Sequence, residues 1–285
     1  MTKEPQTHAD YGERETKAAH RVLIDLGQVL GSFFKDSIVV VGGWVPDLLF
    51  PDAEERHVGS IDVDLALDAS KLRKGRYADI LKSMLATGRY VKTDQEFRLQ
   101  ATVDLHDGGL PILVGVDFLK PKEKRRGRKG TRHLPGFRPL DADGCAAAFQ
   151  HPLKRDIEGL TISGVENSVH VLVASVADFL VMKSYALAGR DKPKDAYDIC
   201  YCLDYAPEGI EGLAGNWRRR REDPLVEGAI KHLGEKFKSV KSYGPSQVVA
   251  FYDPATVEER ELRGRRAFEL VSEFLRLVDS RKRTA

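Results

Sequence analysis

The chain has 285 residues, room for about two domains of roughly 150 residues each. It is 42% hydrophobic and 31% charged, a globular composition, and 45 basic against 43 acidic residues leave a net charge of +2, which by itself points to no partner. No apolar run reaches the roughly 20 residues that span a bilayer, and the polar start "MTKEPQTHADYGERETK" holds no secretory apolar core. Cys145, Cys200 and Cys202 form no C-x-x-C pair, which excludes a zinc or disulfide framework and suits reduced thiols of a cytoplasmic protein with no membrane partner.

Val22, Leu23, Leu26, Val29, Leu30 and Phe33 recur at helical spacing and predict an amphipathic helix from about Arg14 to Phe34. Ser37 to Val41 is a β-branched strand ended by Gly42-Gly43, and Trp44 to Phe50 is helical until Pro51. Ile61 to Leu67 is the next strand. Ser70 is then expected to cap a helix that runs to about Thr87 and stops at Gly88. Phe97 to Leu105 and Leu110 to Leu119 flank "HDGG", a hairpin signal. Two weaker strands, near Leu153 to Ile162 and Val169 to Val173, lead into mostly helical sequence from Ser175 onward. The pattern is α/β: a mixed sheet with flanking helices over residues 1–135 and a mostly helical C-terminal domain over 136–285. The boundary is placed in the Lys/Arg-dense stretch between Lys120 and Leu140, which no strong core pattern crosses.

Side chains alternate faces along a strand, so in "SIDVDLAL" (Ser60 to Leu67) Asp62 and Asp64 share one face, and Ile61, Val63 and Leu65 the other. Two neighbouring carboxylates repel, and half-burying them ionised without a partner is costly. A divalent cation removes that cost, and D-x-D offers it two oxygen ligands. In "ILVGVDFL" (Ile112 to Leu119), Asp117 interrupts the face opposite Ile112, Val114, Val116 and Phe118, a third carboxylate that could serve a second ion. The competing reading of each is a surface aspartate on the solvated side of a sheet.

Upstream, "VVVGGWVPDLL" (Val39 to Leu49) breaks from strand to helix at Gly42-Gly43. Glycines let backbone N–H groups approach an anion at a helix start, although such a pair is usually only a turn. Its weight comes from the D-x-D strand that follows. A nucleoside triphosphate at the turn, its oxygens bridged to Mg²⁺ (or Mn²⁺) on the aspartates, joins both stretches in one site. Two ions would stabilise the attacking and leaving oxygens of a displacement at phosphorus.

This set resembles the DNA-polymerase-β-like nucleotidyltransferase superfamily: Gly42 and Gly43 match its glycine motif, Asp62 and Asp64 its metal-binding pair, and Asp117 its third carboxylate. "VMKSYALAGRDKPKDAYDICYCL" (Val181 to Leu203) resembles the K-x-x-A…R-x-K-x-[RK]-D-x-Y-D pattern of AbiEii-type, MenT-like nucleotidyltransferase toxins. The resemblance implies that Lys183 and an aspartate, Asp195 or Asp198, join the active site. It also implies transfer of a nucleotide from an NTP, in some members onto the 3′ end of tRNA, and a cognate antitoxin that restrains the enzyme. Lys183 has support of its own: it lies one turn from Phe179 and Leu187 on an apolar stripe, where a lysine must snorkel outward or meet an anion. Arg190, Lys192 and Lys194 either touch phosphate or complement a helix C-terminus.

Trp44 departs from the family, which commonly has Ser or Thr after the glycines; Ser60 is the alternative hydroxyl, and the interval from Gly43 to Asp62 is long. "GGWVPD" also resembles the G-G-W-x-x-D of lincosamide and aminoglycoside nucleotidyltransferases. The basic run "KPKEKRRGRKGTRH" (Lys120 to His133) either contacts a polyphosphate backbone or is a solvated loop. "WRRRRED" (Trp217 to Asp223) reads as a solvated helix face, His57 as a loop residue that either touches substrate or, more commonly, is exposed, and Cys200 and Cys202 as core or near-core positions. The expectation is therefore Mg²⁺-dependent nucleotidyl transfer to RNA, with the helical domain closing over the cleft. Asp62 and Asp64 would hold metal, while Asp117 would complete a second position and help deprotonate the acceptor hydroxyl. Lys183 would stabilise phosphate charge or position Asp195 or Asp198. The alternatives are a small-molecule nucleotidyltransferase and a degenerate NTP-binding regulator.

Overall fold

A computed structural model describes residues 5–68, 70–72, 76–122 and 137–280. The chain divides into two units, one of Tyr11–Leu48 and Gly59–Ser175, the other of Met1–Asp10, Leu49–Val58 and Val176–Ala285. The first is built on a mixed eight-stranded sheet. Its strands are β1 (Ile38–Val41), β2 (Val63–Leu67), β3 (Tyr90–Lys92), β4 (Arg98–Val103), β5 (Ile112–Pro121), β6 (Leu140–Ala142), β7 (Leu153–Leu160) and β8 (Glu166–Val173). They lie in the order β3-β4-β5-β2-β1-β8-β7, with β6 paired to the end of β5. β1, all valine and isoleucine and wholly buried, is an interior strand, where β-branched side chains fit a sheet covered on both faces.

One face of β4 and β5, made by Leu99, Ala101, Val103, Val114, Val116 and Phe118, is buried. So is the stripe Val22, Leu23, Leu26 and Leu30 of α1 (Glu13–Leu30), which packs on the sheet. Each such Val, Leu or Phe side chain stabilises the fold by roughly 1.5–3 kcal/mol. Between β1 and β2 runs the short α2 (Trp44–Leu49), and between β2 and β3 runs α3 (Arg76–Ala86).

Three features differ from the sequence-based expectation. β3 and β6 have three residues each, too few for their alternation to be read. Ser70 does not cap α3; its N–H and hydroxyl both donate to Asp68 (2.9 and 2.6 Å), closing a turn instead. The sheet unit ends at Ser175 rather than near residue 135, because β7 and β8 form a hairpin whose second strand pairs in parallel with β1. That pairing joins segments distant in sequence and leaves no local signature.

The other unit is helical: α4 (Val176–Gly189), α5 (Pro193–Tyr205), α6 (Gly209–Arg219), α7 (Pro224–Lys236), α8 (Tyr243–Tyr252) and α9 (Val257–Asp279). Proline starts α5 and α7, where no N–H is needed. The side chains of Asp223 and Thr256 accept from the N–H groups of Leu225 (2.9 Å) and Glu259 (3.2 Å) and so cap α7 and α9. "WRRRRED" is not simply a solvated face. Trp217 is core, donating Nε1–H to the Ala177 carbonyl (3.0 Å), and Arg220 pairs with the wholly buried Asp178 (2.7 Å). Arg218 donates to the Leu277 carbonyl near the end of α9 (2.8 Å). Among the described residues no helix is long and apolar enough to cross a membrane.

Candidate active site

The register of three strands assembles the carboxylates. β2 pairs in parallel with β5 so that Asp64 stands beside Asp117, and β4 pairs antiparallel with β5 so that Arg98 stands on the other side of Asp117. Val41, the last residue of β1, stands beside Asp64, and the chain then turns at Gly42. Paired residues share a face, so Arg98, Asp117 and Asp64 form one row that ends at the glycine turn.

That turn is shaped around Asp64. Gly42 has φ +70°, a left-handed conformation that side chains rarely adopt, and a Cβ placed on it would fall inside the Asp64 carboxylate. The sequence-level link between the glycines and D-x-D is thus a direct contact. α2, which follows, has only six residues, so any anion at this turn depends on backbone N–H groups rather than on a long helix.

Asp62 lies just before β2 and is fixed from three sides. Trp44 is buried and donates its indole N–H to the Asp62 carbonyl (2.8 Å), so the tryptophan after the glycines braces the D-x-D backbone. Ser60, also buried, donates its hydroxyl to Asp62 Oδ1 (2.9 Å). Arg98 Nη2 approaches Asp62 Oδ2 at 3.4 Å. Both oxygens of Asp117 are engaged by Arg98, Nε to Oδ1 at 2.5 Å and Nη2 to Oδ2 at 2.6 Å, the parallel fork that binds carboxylates most tightly. These hydrogen bonds hold the Arg98 guanidinium even further above its ordinary value.

Among the described residues no group of three or more His, Cys, Asp or Glu side chains is placed to hold a metal ion. The oxygens of Asp62 and Asp64 suit a hard cation such as Mg²⁺, which commonly takes one or two protein carboxylates plus substrate phosphates. Asp117 differs in having both oxygens held by the Arg98 guanidinium.

The second sequence constellation lies within the helical unit and is buried. Lys183, on α4, pairs with Asp195 (2.7 Å) and Asp198 (2.6 Å), both on α5 and both wholly buried. Lys194 meets Asp198 at 2.7 Å, and Arg190 forks onto Asp195 through Nε (2.7 Å) and Nη2 (2.9 Å). Lys192 is the N-terminal flanking residue of α5, and its carbonyl accepts the Asp195 N–H (3.0 Å). Burial alone would lower Lys183 and raise Asp195; their mutual attraction wins, lifting Lys183 and holding Asp195 at about 2. Lys183 therefore meets anions, but those anions are the motif's own aspartates.

His57 is not an exposed loop residue: it is buried and donates Nε2–H to Asp198 (2.9 Å). Burial, with the Lys194 charge second, pushes it down to about 4, so it is the neutral imidazole. All three cysteines are buried, as expected for Cys200 and Cys202, and burial raises their thiols. Residues 123–133 of the basic run lie outside the described residues. Of those before them, Lys120 pairs with Asp141 and Lys122 with Asp143 (2.9 Å).

Arg98 was missed by sequence reasoning, although alternation could have found it. Leu99, Ala101 and Val103 mark the buried face of β4, which puts Arg98 on the face that carries Asp117. Asp25 was missed too: a wholly buried carboxylate on α1 that accepts from Tyr90 Oη (2.7 Å) and Arg89 Nε (3.1 Å).

The family described as nucleotidyl transferase AbiEii toxin, type IV toxin–antitoxin system, matches residues 29–263 of the chain. Two solved structures are similar to the chain. JHP933 from Helicobacter pylori is 9% identical, with 94% of each chain covered and a TM-score of 0.41. The nucleotidyltransferase toxin MenT4 from Mycobacterium tuberculosis H37Rv is 16% identical, with 97% of this chain and 94% of that one covered and a TM-score of 0.39. No curated protein matches the chain.

Proposed function

The chain belongs to the AbiEii nucleotidyltransferase toxin family of the polymerase-β-like superfamily, and from that premise we propose that it transfers a nucleotide from an NTP to RNA, at the 3′ end of tRNA. In this reading Asp62 and Asp64 bind Mg²⁺ together with the triphosphate, and the Gly42-Gly43 turn receives phosphate oxygens on its backbone. When bound, the ion neutralises charge that builds on the reacting phosphate and the departing pyrophosphate. The chain's own residues do the positioning. Ser60 and Trp44 fix the side chain and backbone of Asp62, and Gly42 leaves space for the Asp64 carboxylate. The observation that carries the reading is this convergence of glycine turn and D-x-D. A solvated surface aspartate has no need of a turn that excludes a Cβ beneath its carboxylate.

The acceptor hydroxyl must lose a proton, and in this reading Asp117, in register beside Asp64, assists from its clamp on Arg98. The Lys183–Asp195–Asp198 cluster keeps α4 and α5 in the arrangement that activity requires. A cognate antitoxin is the proposed partner that restrains the enzyme.

The test is incubation with Mg²⁺, each labelled NTP in turn, and total tRNA, beside an Asp62→Ala control. Label that enters tRNA with the wild type and not with the control is the expected result. Label confined to small hydroxylated compounds would instead make the chain a small-molecule nucleotidyltransferase. NTP binding with no transfer to either acceptor would make it a binding regulator.

A further inference from the structure

The row Arg98–Asp117–Asp64 gives one carboxylate a partner before any ligand arrives. Asp117 is the carboxylate that the sequence assigns to a second metal position, beside the Asp62–Asp64 pair. Yet both Asp117 oxygens already accept charged hydrogen bonds from one guanidinium, at 2.5 and 2.6 Å, in a fork that matches a carboxylate edge to edge. The side chain of Asp117 is 11% exposed, so little water is present to help a cation compete.

The chain around Arg98 is arranged to keep it there. Gly115 lies two residues before Asp117 on the same face of β5, and a Cβ on it would stand 3.1 Å from Arg98 Cζ, closer than ordinary packing. The bare glycine is what lets the guanidinium lie across the strand. Opposite pairing then places Arg98 directly beside Asp117, so the backbone ladder aims the fork. The same Nη2 also faces Asp62 Oδ2 at 3.4 Å. Among the described residues Nη1 has no hydrogen-bond partner, and the side chain is 31% exposed, which leaves donors free for an incoming anion.

We propose that Arg98, rather than a second metal ion, is the cationic partner of Asp117. The site then takes one divalent cation per chain, on Asp62 and Asp64, and offers the free edge of the guanidinium to the triphosphate beside it. The inference rests on the proposed role of the Asp62–Asp64 pair and replaces the expectation that Asp117 completes a second metal position. Arg98 is in this sense a positioning residue: it holds Asp117 and adds a fixed positive charge that an ion would otherwise supply.

The test is a titration of Mn²⁺ into the full chain with a non-hydrolysable NTP analogue, with free Mn²⁺ read by electron paramagnetic resonance. The wild type is expected to bind one Mn²⁺, and Asp117→Asn to bind one with unchanged affinity. Asp64→Asn should weaken binding by at least about tenfold, the loss seen when even a group that only supports a metal ligand is removed. Arg98→Ala, which frees Asp117, should bind two. If Arg98→Ala does not fold, Asp117→Asn still decides. Two ions on the wild type, or an Asp117→Asn variant that loses Mn²⁺ as Asp64→Asn does, would overturn the inference and leave the proposed function standing. An Arg98→Ala variant that still takes one ion would show that Arg98 does not exclude the second. No Mn²⁺ on the wild type, with analogue bound, would overturn both.

Discussion

Each unit of the chain carries a cluster of charge, and the two differ in how far water reaches them. In the sheet unit the side chains of Asp62, Asp117 and Arg98 are 25%, 11% and 31% exposed. In the helical unit those of Asp195 and Asp198 are 0% exposed, and those of Lys183 and Lys194 are 9% and 4%. Both clusters match sequence motifs of one enzyme family, so the motif alone does not say which one handles a ligand. Burial does. A buried carboxylate locked between ammonium groups stabilises the arrangement of its helices, and removing either partner strands the other. In the proposed reading the less buried carboxylates of the sheet unit are the ones that meet a ligand.

The largest expected effect separates the two clusters directly. Asp64→Asn should lower nucleotidyl transfer by roughly 10²–10³-fold, the several kcal/mol that metal-assisted charge stabilisation supplies. Its denaturation midpoint should hardly move, since Asp64 is half-buried at the edge of the site. Asp198→Ala should do the reverse in kind: it leaves Lys183 and Lys194 buried beside each other and should cost about 3–5 kcal/mol of stability. Urea unfolding checks both. An Asp198→Ala protein that is as stable as wild type but inactive would break the comparison and return Asp198 to a direct role in chemistry.

The acid limb of stability sharpens the picture within the helical cluster. His57 is pushed from 6.5 down to about 4, first by burial and then by Lys194, while Asp198 accepts its proton-bearing Nε2. The folded chain therefore binds a proton less readily than the unfolded chain. Stability is full above pH 6.5 and falls as pH drops from 6.5 towards 4, by on the order of 3 kcal/mol. Asp195, held at about 2, adds a separate loss only below its ordinary value of 3.8. His57→Gln, whose amide can still donate to Asp198 but cannot titrate, should flatten the decline between pH 6.5 and 4. An unchanged slope would place the acid sensitivity elsewhere.

Much of this was legible before any coordinates. The apolar alternation of β2 and β5 put Asp62, Asp64 and Asp117 on polar faces, and register then made neighbours of Asp64 and Asp117. Helical spacing found α1 and singled out Lys183 as a charge in an apolar stripe. What periodicity could not carry was the identity of partners. Nothing local tells that His57 reaches Asp198, that Arg220 belongs to Asp178, or that Arg98 meets Asp117. Each of these joins residues far apart in the chain, and a polar residue looks equally suited to solvent until its partner is known. The sheet's extent failed for the same reason, since β8 is recruited by β1 across most of the sheet unit.

The smallest predicted effect tests whether the sheet cluster is built for a ligand or only tolerates one. Gly42 and Gly88 have nearly the same backbone conformation, φ +70° and +71°, but only Gly42 lies against a functional group. A Cβ on Gly88 meets nothing within 4 Å, so Gly88→Ala should cost only the left-handed backbone penalty, about 1–2 kcal/mol. Gly42→Ala should cost that amount and a further increment, about 1–3 kcal/mol in all, because the Asp64 carboxylate must also move. The displaced carboxylate is the informative part. Gly42→Ala should lose Mn²⁺ affinity and transfer activity out of proportion to its stability, whereas Gly88→Ala should keep both. If the two variants lost activity in parallel with stability, Gly42 would be only a turn residue, and the argument that its missing Cβ makes room for a working carboxylate would fail.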